Sequence, residues 1–251
     1  MWHVSTWRSC EHLMTLRADA LVKNYGRRAV VDRLSLRVEP GQIVGLLGPN
    51  GAGKTTTFHM MIGFIAADAG RVLLDDSDIS ALPFFRRARL GIGYLPQEPS
   101  VFTQASVIDN LDLALEWLQS AEDRPRVREQ LLAEFGLEKL RSQEAKTLSS
   151  GERRRLEIAR TLATSPRYVL LDEPFSGIDP ISITDLQREI VSLKERGIGV
   201  VITDHNVRDT LRITDYAYLI DKGSQIASGE PEAILSDPVA RRVYLGEGFS
   251  P

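Results

Sequence analysis

The stretch GPNGAGKT, from Gly48 to Thr55, matches the pattern G-x-x-x-x-G-K-[ST] at every fixed position. Before it, the apolar and β-branched run Gln42–Leu47 predicts a strand that is buried on both faces. After it, Thr55–Ile62 is suited to begin a helix. The loop therefore lies between a strand and the N-terminus of a helix, which is the context in which this pattern holds phosphate.

The residue types in this loop suit a nucleotide. Its glycines let the backbone turn with N–H groups pointing inward, and the helix dipole adds positive potential there. Lys54 is then placed to reach the β- and γ-phosphates, and the Thr55 hydroxyl to ligate Mg²⁺. A glycine turn with an incidental Lys-Thr pair is the alternative, and the correct flanks disfavour it.

Composition limits the class of protein. At 251 residues the chain is long enough for one large domain or a domain with a subdomain. Its 31 basic and 34 acidic residues give a net charge of −3, so there is no positive excess for nucleic acid. Cys10 has no partner for an internal disulfide, which favours a reducing compartment.

The sequence has no pattern typical of a targeting or membrane-spanning segment. No apolar run approaches the roughly 20 residues of a spanning helix, and no signal-peptide pattern opens the chain. We therefore expect a soluble, cytoplasmic protein. Residues 1–13 have no helical or strand period, so we interpret them as a disordered extension or an incorrectly assigned start, with Met14 as the other start.

The segment before the loop predicts an antiparallel pair of strands. The apolar residues Leu16, Ala18, Ala20 and Val22 recur at every second position, and a second alternating run ends at Val38. The turn between the runs contains Tyr25. Its ring either stacks on a base or packs on its own strand, and without further context neither is favoured.

The middle third of the chain predicts helices. Ala81–Leu90 is rich in arginine and predicts a surface helix, and Ile92–Gln97 predicts a strand that stops at Pro96, leaving Gln97 at the start of a loop. Val107–Gln119 and Arg126–Phe135 have helical periodicity without strand signals. We predict a helical subdomain, about residues 100–165, inserted between strands of the core.

A second anion-binding candidate lies near the end of that subdomain. In the run LSSGE, Leu148 to Glu152, either Ser149 or Ser150 is in position to cap the following helix. The N-terminus of this helix has the positive potential that attracts phosphate.

Two later strands end in polar residues. Tyr168–Glu173 is apolar until Asp172 and Glu173, which we place at the carboxyl edge of the sheet, where open α/β sheets bind ligands. Asp172 is then suited to hold Mg²⁺ through water, and Glu173 to polarise or deprotonate an attacking water. For these two carboxylates, capping of the next helix is the alternative role.

The strand predicted at Gly199–Thr203 places His205 at the same edge. We favour a catalytic over a structural role for this histidine.

The motifs occur in the order GPNGAGKT, Gln97, LSSGE, YVLLDE, SGIDP at Ser176 to Pro180, and TDH ending at His205. In this order they resemble those of the ATP-binding subunits of ABC transporters, from Thr15 to the end of the chain. The resemblance implies an α/β fold, with a P-loop NTPase (ABC ATPase) core, an N-terminal antiparallel β-subdomain and the inserted helical subdomain. It also implies a single ABC ATP-binding domain over residues 14–251, with ATP and Mg²⁺ as cofactors.

The resemblance implies roles for individual residues. Tyr25 looks like the adenine-stacking aromatic, and Gln97 like the residue that links Mg²⁺ and the lytic water to the membrane part of the transporter. Glu173 and His205 are the implied catalytic residues. The residues implied to bind ATP within one subunit are Tyr25, Gly48, Pro49, Asn50, Gly51, Ala52, Gly53, Lys54, Thr55, Thr56 and Gln97. The implied metal ligands are Thr55, Gln97 and Asp172.

Further residues are implied to act across a dimer. The residues that look like those meeting the ATP of the other subunit are Ser149, Ser150, Gly151, Glu152 and Asp179. Two departures from the family pattern occur here. Ser150 replaces a glycine and Glu152 a glutamine of the usual LSGGQ, and SGID replaces the commoner SALD with its aspartate kept. The Cβ of Ser150 lies where close backbone approach is wanted, so affinity or closure rate is expected to differ.

Within the family, GIGYLPQE, GERRRLEIAR, ITDHNVRDTL and VYLGEGF resemble the ATPases of lipopolysaccharide-export systems. That implies a nucleotide-dependent homodimer on the cytoplasmic face of the inner membrane, held there only by two permease subunits, with Phe102 as a permease contact. Thr103-Gln104 departs from the basic residues of that subgroup, which leaves the details of this contact open.

Two alternative functions remain. One is the ATPase of a branched-chain amino acid importer, and the other is a soluble ABC ATPase acting on ribosomes or DNA. The lack of a basic excess argues against the second.

Overall fold

The computed structural model describes residues 15–116 and 120–245, so the prediction for residues 1–13 lies outside the described part of the chain. Its strands are β1 Leu16–Tyr25, β2 Arg28–Val38, β3 Ile43–Leu47, β4 Ala69–Leu74, β5 Ser77–Asp78, β6 Ile92–Leu95, β7 Tyr168–Asp172, β8 Gly199–Thr203, β9 Tyr216–Asp221 and β10 Ser224–Gly229. Its helices are α1 Lys54–Ile62, α2 Phe84–Arg89, α3 Val107–Leu115, α4 Arg124–Glu134, α5 Ser150–Leu162, α6 Pro180–Glu195, α7 Val207–Leu211, α8 Pro231–Ser236 and α9 Pro238–Ala240.

The strands form two sheets. One is antiparallel, in the order β2-β1-β4-β5, and the other has six strands in the order β10-β9-β3-β8-β7-β6. In the second sheet all neighbouring pairs are parallel except β9 with β10. Every residue of β3, β7 and β8 is buried, as expected for apolar parallel strands covered on both faces. The predicted α/β core with an N-terminal antiparallel sheet is confirmed.

The alternation predicted for β1 is wrong after Ala18. Leu16 and Ala18 are buried as predicted, but the next fully buried residue is Leu21, and Ala20 and Val22 are only partly buried. The pairing of β1 with β2 shifts register between Ala18 and Leu21, and Ala20 has a positive φ of 49°. A bulge of this kind adds one residue to the strand and so moves the following side chains to the other face.

The register of the parallel strands brings three chain segments to one edge. Gly45 of β3 pairs with Ile202 of β8, and Asp172 of β7 pairs with Thr203 of β8. The loop after β3, the end of β7 and the end of β8 therefore meet at the carboxyl edge of the sheet.

Helices fill the chain between β6 and β7. Leu111 of α3, Leu131 of α4 and Leu156 of α5 belong to the same buried cluster as Leu171 of β7 and Val200 of β8. These helices therefore share one core with the large sheet. The division of the chain into a core and a helical subdomain of about residues 100–165 stays a prediction. Across both described ranges, no helix is long and apolar enough to cross a membrane.

The predicted surface helix at Ala81–Leu90 is shorter and less exposed than expected. The helix is α2, and Arg87 within it is almost completely buried. Its guanidinium donates to the carbonyls of Met60 and Met61 at the end of α1, at 2.7 and 2.8 Å, and to those of Leu82 and Ser80. Arg87 thus caps the carboxyl end of α1, a role that composition alone does not indicate.

The packing of α6 on α5 buries a glutamate and shifts its pKa. The side chain of Glu189, on α6, is 17% exposed, and its nearest cation is Arg155 of α5, with 3.9 Å between Oε1 and Nε. Burial raises the pKa of Glu189 to about 7, Arg155 opposes this rise, and Asp185 adds to it. Because the folded pKa is above the unfolded value, ionisation of this group lowers stability as the pH rises toward 7.

We therefore expect Glu189→Gln to raise the free energy of unfolding by about 2 kcal/mol at pH 8, and by clearly less at pH 5. Urea denaturation at the two pH values measures both effects. Glu195→Gln changes an exposed glutamate at the end of the same helix and is the matched control. Equal effects of Glu189→Gln at the two pH values would contradict the prediction.

Candidate active site

A cleft of about 430 Å³ opens at the carboxyl edge of the large sheet. Its lining comes from the loop after β3, the start of α1, the loop after β6 and the ends of β7 and β8, with one residue from β2. The lining residues are Val30, Asn50, Gly51, Gly53, Lys54, Thr55, Thr56, Gln97, Glu173 and His205. The structure thus brings together nine of the residues predicted for ATP binding and catalysis, and adds Val30.

The loop before α1 requires glycine at two positions. Gly53 precedes the helix with a φ of 107°, and a Cβ there would lie 2.6 Å from the Val30 carbonyl oxygen. At Gly48 a Cβ would lie 2.2 Å from the Ile220 carbonyl oxygen. No side chain caps the first turn of α1, and no acidic residue lies in it. Its N–H groups and positive dipole end therefore face the cleft, ready for an anion.

Lys54 is held inside this loop. Its side chain is buried, and Nζ donates to the Gly48 carbonyl at 2.7 Å and to the Pro49 carbonyl at 3.1 Å. Burial lowers the pKa of Lys54, while the nearby carboxylates of Glu173, Asp172 and Asp204 oppose that shift. The ammonium is thus fixed at the position where a phosphate would meet the N-terminus of α1.

Asp172 is buried at the end of β7. Its Oδ1 accepts a 2.6 Å hydrogen bond from the Thr203 hydroxyl and lies 3.4 Å from the Thr55 hydroxyl, and Oδ2 accepts from the Tyr94 hydroxyl at 3.4 Å. Burial raises the pKa of Tyr94, and Asp172 raises it further, so this phenol stays protonated as a donor. Thr203 and Tyr94 were not predicted as site residues, because only the strand register shows that they flank Asp172.

The residues around Thr55 fit a magnesium ion. A threonine hydroxyl, a buried carboxylate and the Gln97 amide are oxygen ligands, which Mg²⁺ prefers. Magnesium at nucleotide sites takes one or two protein ligands and completes its octahedron with phosphates and water. Within the described residues there is no cluster of three His, Cys, Asp or Glu side chains for a metal, so a fully protein-built cage is not formed there.

Two side chains that follow β6 and β8 meet at the carboxylate of Glu173, which follows β7. Glu173 Oε2 accepts from Gln97 Nε2 at 3.0 Å and lies 3.2 Å from His205 Nδ1. Glu173 itself has a positive φ of 46°, and its N–H donates to the Thr203 carbonyl at 2.8 Å. A non-glycine residue in this conformation is strained, and such strain is frequent at functional sites.

Asp204 is a buried carboxylate to which sequence analysis gave no role. It accepts from the Phe175 N–H at 3.0 Å and from the Asn206 N–H at 2.8 Å. Its Oδ1 lies 3.5 Å from His205 Nδ1, and burial raises the pKa of Asp204. Asp204 thus joins the segment after Glu173 to the segment that carries His205.

The residues predicted to act across a dimer do not line the cleft of this subunit. Ser149 caps α5, and Glu152 completes a capping box by accepting from the Ser149 N–H at 2.8 Å. Asp179 caps α6 in a similar way. At Gly151 a Cβ would lie 2.7 Å from Ser182 Oγ, whereas Ser150 is exposed. The packing of α5 within the subunit therefore favours glycine at position 151. At position 150 the side chain is exposed, so the same packing does not disfavour serine.

Two further predicted residues lie on the surface outside the cleft lining. Tyr25 is 54% exposed at the end of β1, with Lys23 Nζ 5.8 Å from the centre of its ring. Phe102 is 53% exposed, with the Arg160 guanidinium 4.9 Å from the centre of its ring. Both rings are available to a partner molecule.

Comparison with known proteins agrees with this site. A family model described as ABC transporter matches residues 31–176. The lipopolysaccharide export system ATP-binding protein LptB of Acidithiobacillus ferridurans is 55% identical over 93% of this chain and 98% of its own length. LptB of Escherichia coli K12 is 54% identical over 94% and 99%. Among solved structures, the ADP conformation of MJ1267, an ATP-binding cassette of an ABC transporter, has a TM-score of 0.82 and 30% identity over 93% and 99%.

These matches confirm the predicted family and fold. The family model spans more than half of the chain, and the relatives are matched along nearly their whole length. The solved cassette shares the arrangement of sheets and helices found here. This chain therefore belongs to the ABC transporter family, as one of its ATP-binding proteins.

Proposed function

We propose that this protein is the ATP-hydrolysing subunit of an ABC transporter that drives export of lipopolysaccharide from the inner membrane. The identity of 54–55% to export-system relatives, over almost all of their length, supports the substrate class. The observation that carries the hydrolytic role is the meeting of Gln97 and His205 at the Glu173 carboxylate, beside the phosphate loop.

The phosphates of ATP bind at the start of α1. Lys54 and the uncapped N–H groups of the loop stabilise the negative charge of the β- and γ-phosphates. Thr55, Asp172 and Gln97 would hold Mg²⁺, which when bound neutralises charge on the phosphate oxygens.

Hydrolysis then depends on Glu173. Its carboxylate accepts a proton from, or orients, the water that attacks the γ-phosphate. His205 contacts the same carboxylate oxygen at 3.2 Å and is suited to donate to the γ-phosphate, while Gln97 holds the carboxylate from the other side. Asp204 keeps the two loops in register through the Phe175 and Asn206 N–H groups.

A second subunit completes the site. One helix N-terminus covers only part of a triphosphate, so the rest of the charge needs further donors. In a homodimer closed by ATP, Ser149, Ser150 and Gly151 at the start of α5 would contact the γ-phosphate held by the other subunit, with Glu152 and Asp179 beside them. Such closure adds N–H donors and excludes water.

The homodimer is proposed to bind two permease subunits in the inner membrane, with Phe102 as a permease contact. Buried Asn110 fixes the backbone of Phe102, accepting from its N–H at 2.9 Å and donating to its carbonyl at 3.0 Å. The exposed ring is therefore presented on a rigid segment, close in sequence to Gln97. We infer that the protein lies on the cytoplasmic face, is attached to the membrane only through the permeases, and has no nucleic-acid partner.

The test is a pull-down of tagged Glu173→Gln protein from detergent-solubilised membranes in the presence of ATP. Recovery of a pair of lipopolysaccharide-export permeases is the expected result, and the added substitution Phe102→Ala should reduce it. Loss of lipopolysaccharide transport on depletion of the protein is the matching result in cells. Recovery of amino acid permeases, or of ribosomes without membrane proteins, would overturn the transport assignment.

We also expect Tyr25→Ala to weaken ATP binding, since loss of a stacked base costs about 1–3 kcal/mol, or roughly a 5- to 150-fold rise in Kd. The ring is exposed, so the stability of the fold should change by less than about 0.5 kcal/mol. Tyr25→Phe keeps the ring and is the control. Titration with a fluorescent ATP analogue measures both variants, and an unchanged Kd for Tyr25→Ala would contradict stacking of this ring on the base.

A further inference from the structure

A buried ion pair on α5 lies next to the candidate active site without lining the cleft. Arg154 and Glu157 are one helical turn apart, with 2.8 Å between Nη1 and Oε2. Their side chains are only 8% and 3% exposed. A buried pair of charges is not in itself stabilising compared with apolar residues, so its presence calls for a specific role.

The contacts of Arg154 indicate that role. Nη1 also donates to the Pro96 carbonyl at 2.9 Å, and Nη2 donates to the Asp172 carbonyl at 3.1 Å. Pro96 and Asp172 are the residues immediately before Gln97 and Glu173. One planar guanidinium therefore fixes the two peptide units that carry the two interacting side chains of the site.

Glu157 fixes the same loop at a second point. Its Oε1 accepts from the Ser100 N–H at 2.8 Å, while Oε2 holds the guanidinium of Arg154. The loop that begins with Gln97 is thus attached to α5 at both ends, through the Pro96 carbonyl and the Ser100 N–H. The 3.0 Å contact between Gln97 and Glu173 is made between the two segments that this pair joins.

From these contacts we infer that Arg154 and Glu157 form a positioning pair for ATP hydrolysis, which sets the backbones of Gln97 and Glu173 relative to each other and to α5. The inference rests on the proposed roles of those two residues. Because Ser149, Ser150 and Gly151 begin the same helix, a movement of α5 on the partner's nucleotide would be transmitted through this pair to the subunit's own Glu173.

The shape of the guanidinium explains why position 154 is an arginine. A lysine at 154 would offer a point charge that cannot bridge carbonyls on two separate strand ends, whereas the arginine fork donates to both at once. Displacement of a catalytic group by about 1 Å costs on the order of 100-fold in rate. Neither residue contacts the phosphate loop in its hydrogen bonds, so binding of ATP should be much less affected than its hydrolysis.

The test compares variants of the full chain in steady-state ATP hydrolysis and in equilibrium ATP binding. Removing one charge leaves the other buried and unpaired, which by itself destabilises the fold. The main variant is therefore Arg154→Met/Glu157→Leu, which replaces the pair by apolar side chains of similar size. We expect kcat to fall about 100-fold while the Kd for ATP stays within about threefold.

Two comparisons separate positioning from general stability. Glu189→Gln removes another partly buried carboxylate, which faces an arginine of α5 but does not contact Gln97 or Glu173, and it should leave kcat unchanged. In the Glu173→Gln background, the double substitution should lower the residual rate by less than about threefold, because the group it positions is already lost.

Amide hydrogen exchange gives a readout that does not depend on turnover. The N–H groups of residues 97–100 and 173–176 should exchange faster in the double variant, while those of α1 should not. An active wild-type protein whose double variant keeps kcat within about threefold would overturn the inference. A wild-type protein that hydrolyses no ATP, even with its permeases, would instead overturn the proposed function, and unchanged exchange at both segments would still refute the positioning pair.

Discussion

Replacement of Glu173 by glutamine is expected to lower the rate of ATP hydrolysis by about 10²- to 10⁴-fold, the usual contribution of a general base. Glutamine has the same shape, and its amide is still able to contact Gln97 and His205, which lie 3.0 and 3.2 Å from Oε2 in the native protein. What is lost is the negative charge that accepts the proton. ATP binding should therefore persist, and the dimer that closes on ATP should accumulate.

Size-exclusion chromatography with Mg²⁺ and ATP measures this accumulation, and a phosphate-release assay measures turnover. Glu195→Gln is the control, because it removes an exposed carboxylate at the end of α6 that does not line the cleft. A Glu173→Gln protein that hydrolyses ATP at the native rate would refute the role of Glu173.

The parts of the site that follow a local pattern were predicted from the sequence. The loop from Gly48 to Thr55 requires its own residue types at fixed spacing, because a Cβ at Gly48 or Gly53 would strike a backbone carbonyl. Glu173 and His205 were predicted at one sheet edge because parallel strands end on the same side. Such information is contained in short stretches of chain.

The parts that depend on register or packing were not predictable. The bulge after Ala18 exchanges the faces of β1, and apolar residues at Ala20 and Val22 give no sign of it. Arg87 resembles its exposed neighbours in sequence and is buried because the carbonyls at the end of α1 lie beside it. Arg154 is likewise one of three consecutive arginines, and only the meeting of α5 with two strand ends distinguishes it.

Replacement of Lys54 by alanine is expected to act on ATP binding itself. The lysine ammonium is already desolvated and directed by the Gly48 and Pro49 carbonyls, so its contact with a phosphate requires little reorganisation. Loss of a hydrogen bond between charged groups costs about 1.5–3 kcal/mol, which corresponds to a rise in Kd of roughly 10- to 150-fold.

The fold should tolerate this change, because burial disfavours the charged form of Lys54 even in the native protein. Lys54→Met keeps most of the aliphatic stem, so equal weakening in both variants would assign the effect to the ammonium rather than to packing. Exposed Lys139→Ala serves as the control for loss of a charge elsewhere. Isothermal titration with MgATP decides the matter: the Lys54 ammonium lines the cleft beside the loop, so an unchanged Kd would contradict binding of the triphosphate at the start of α1.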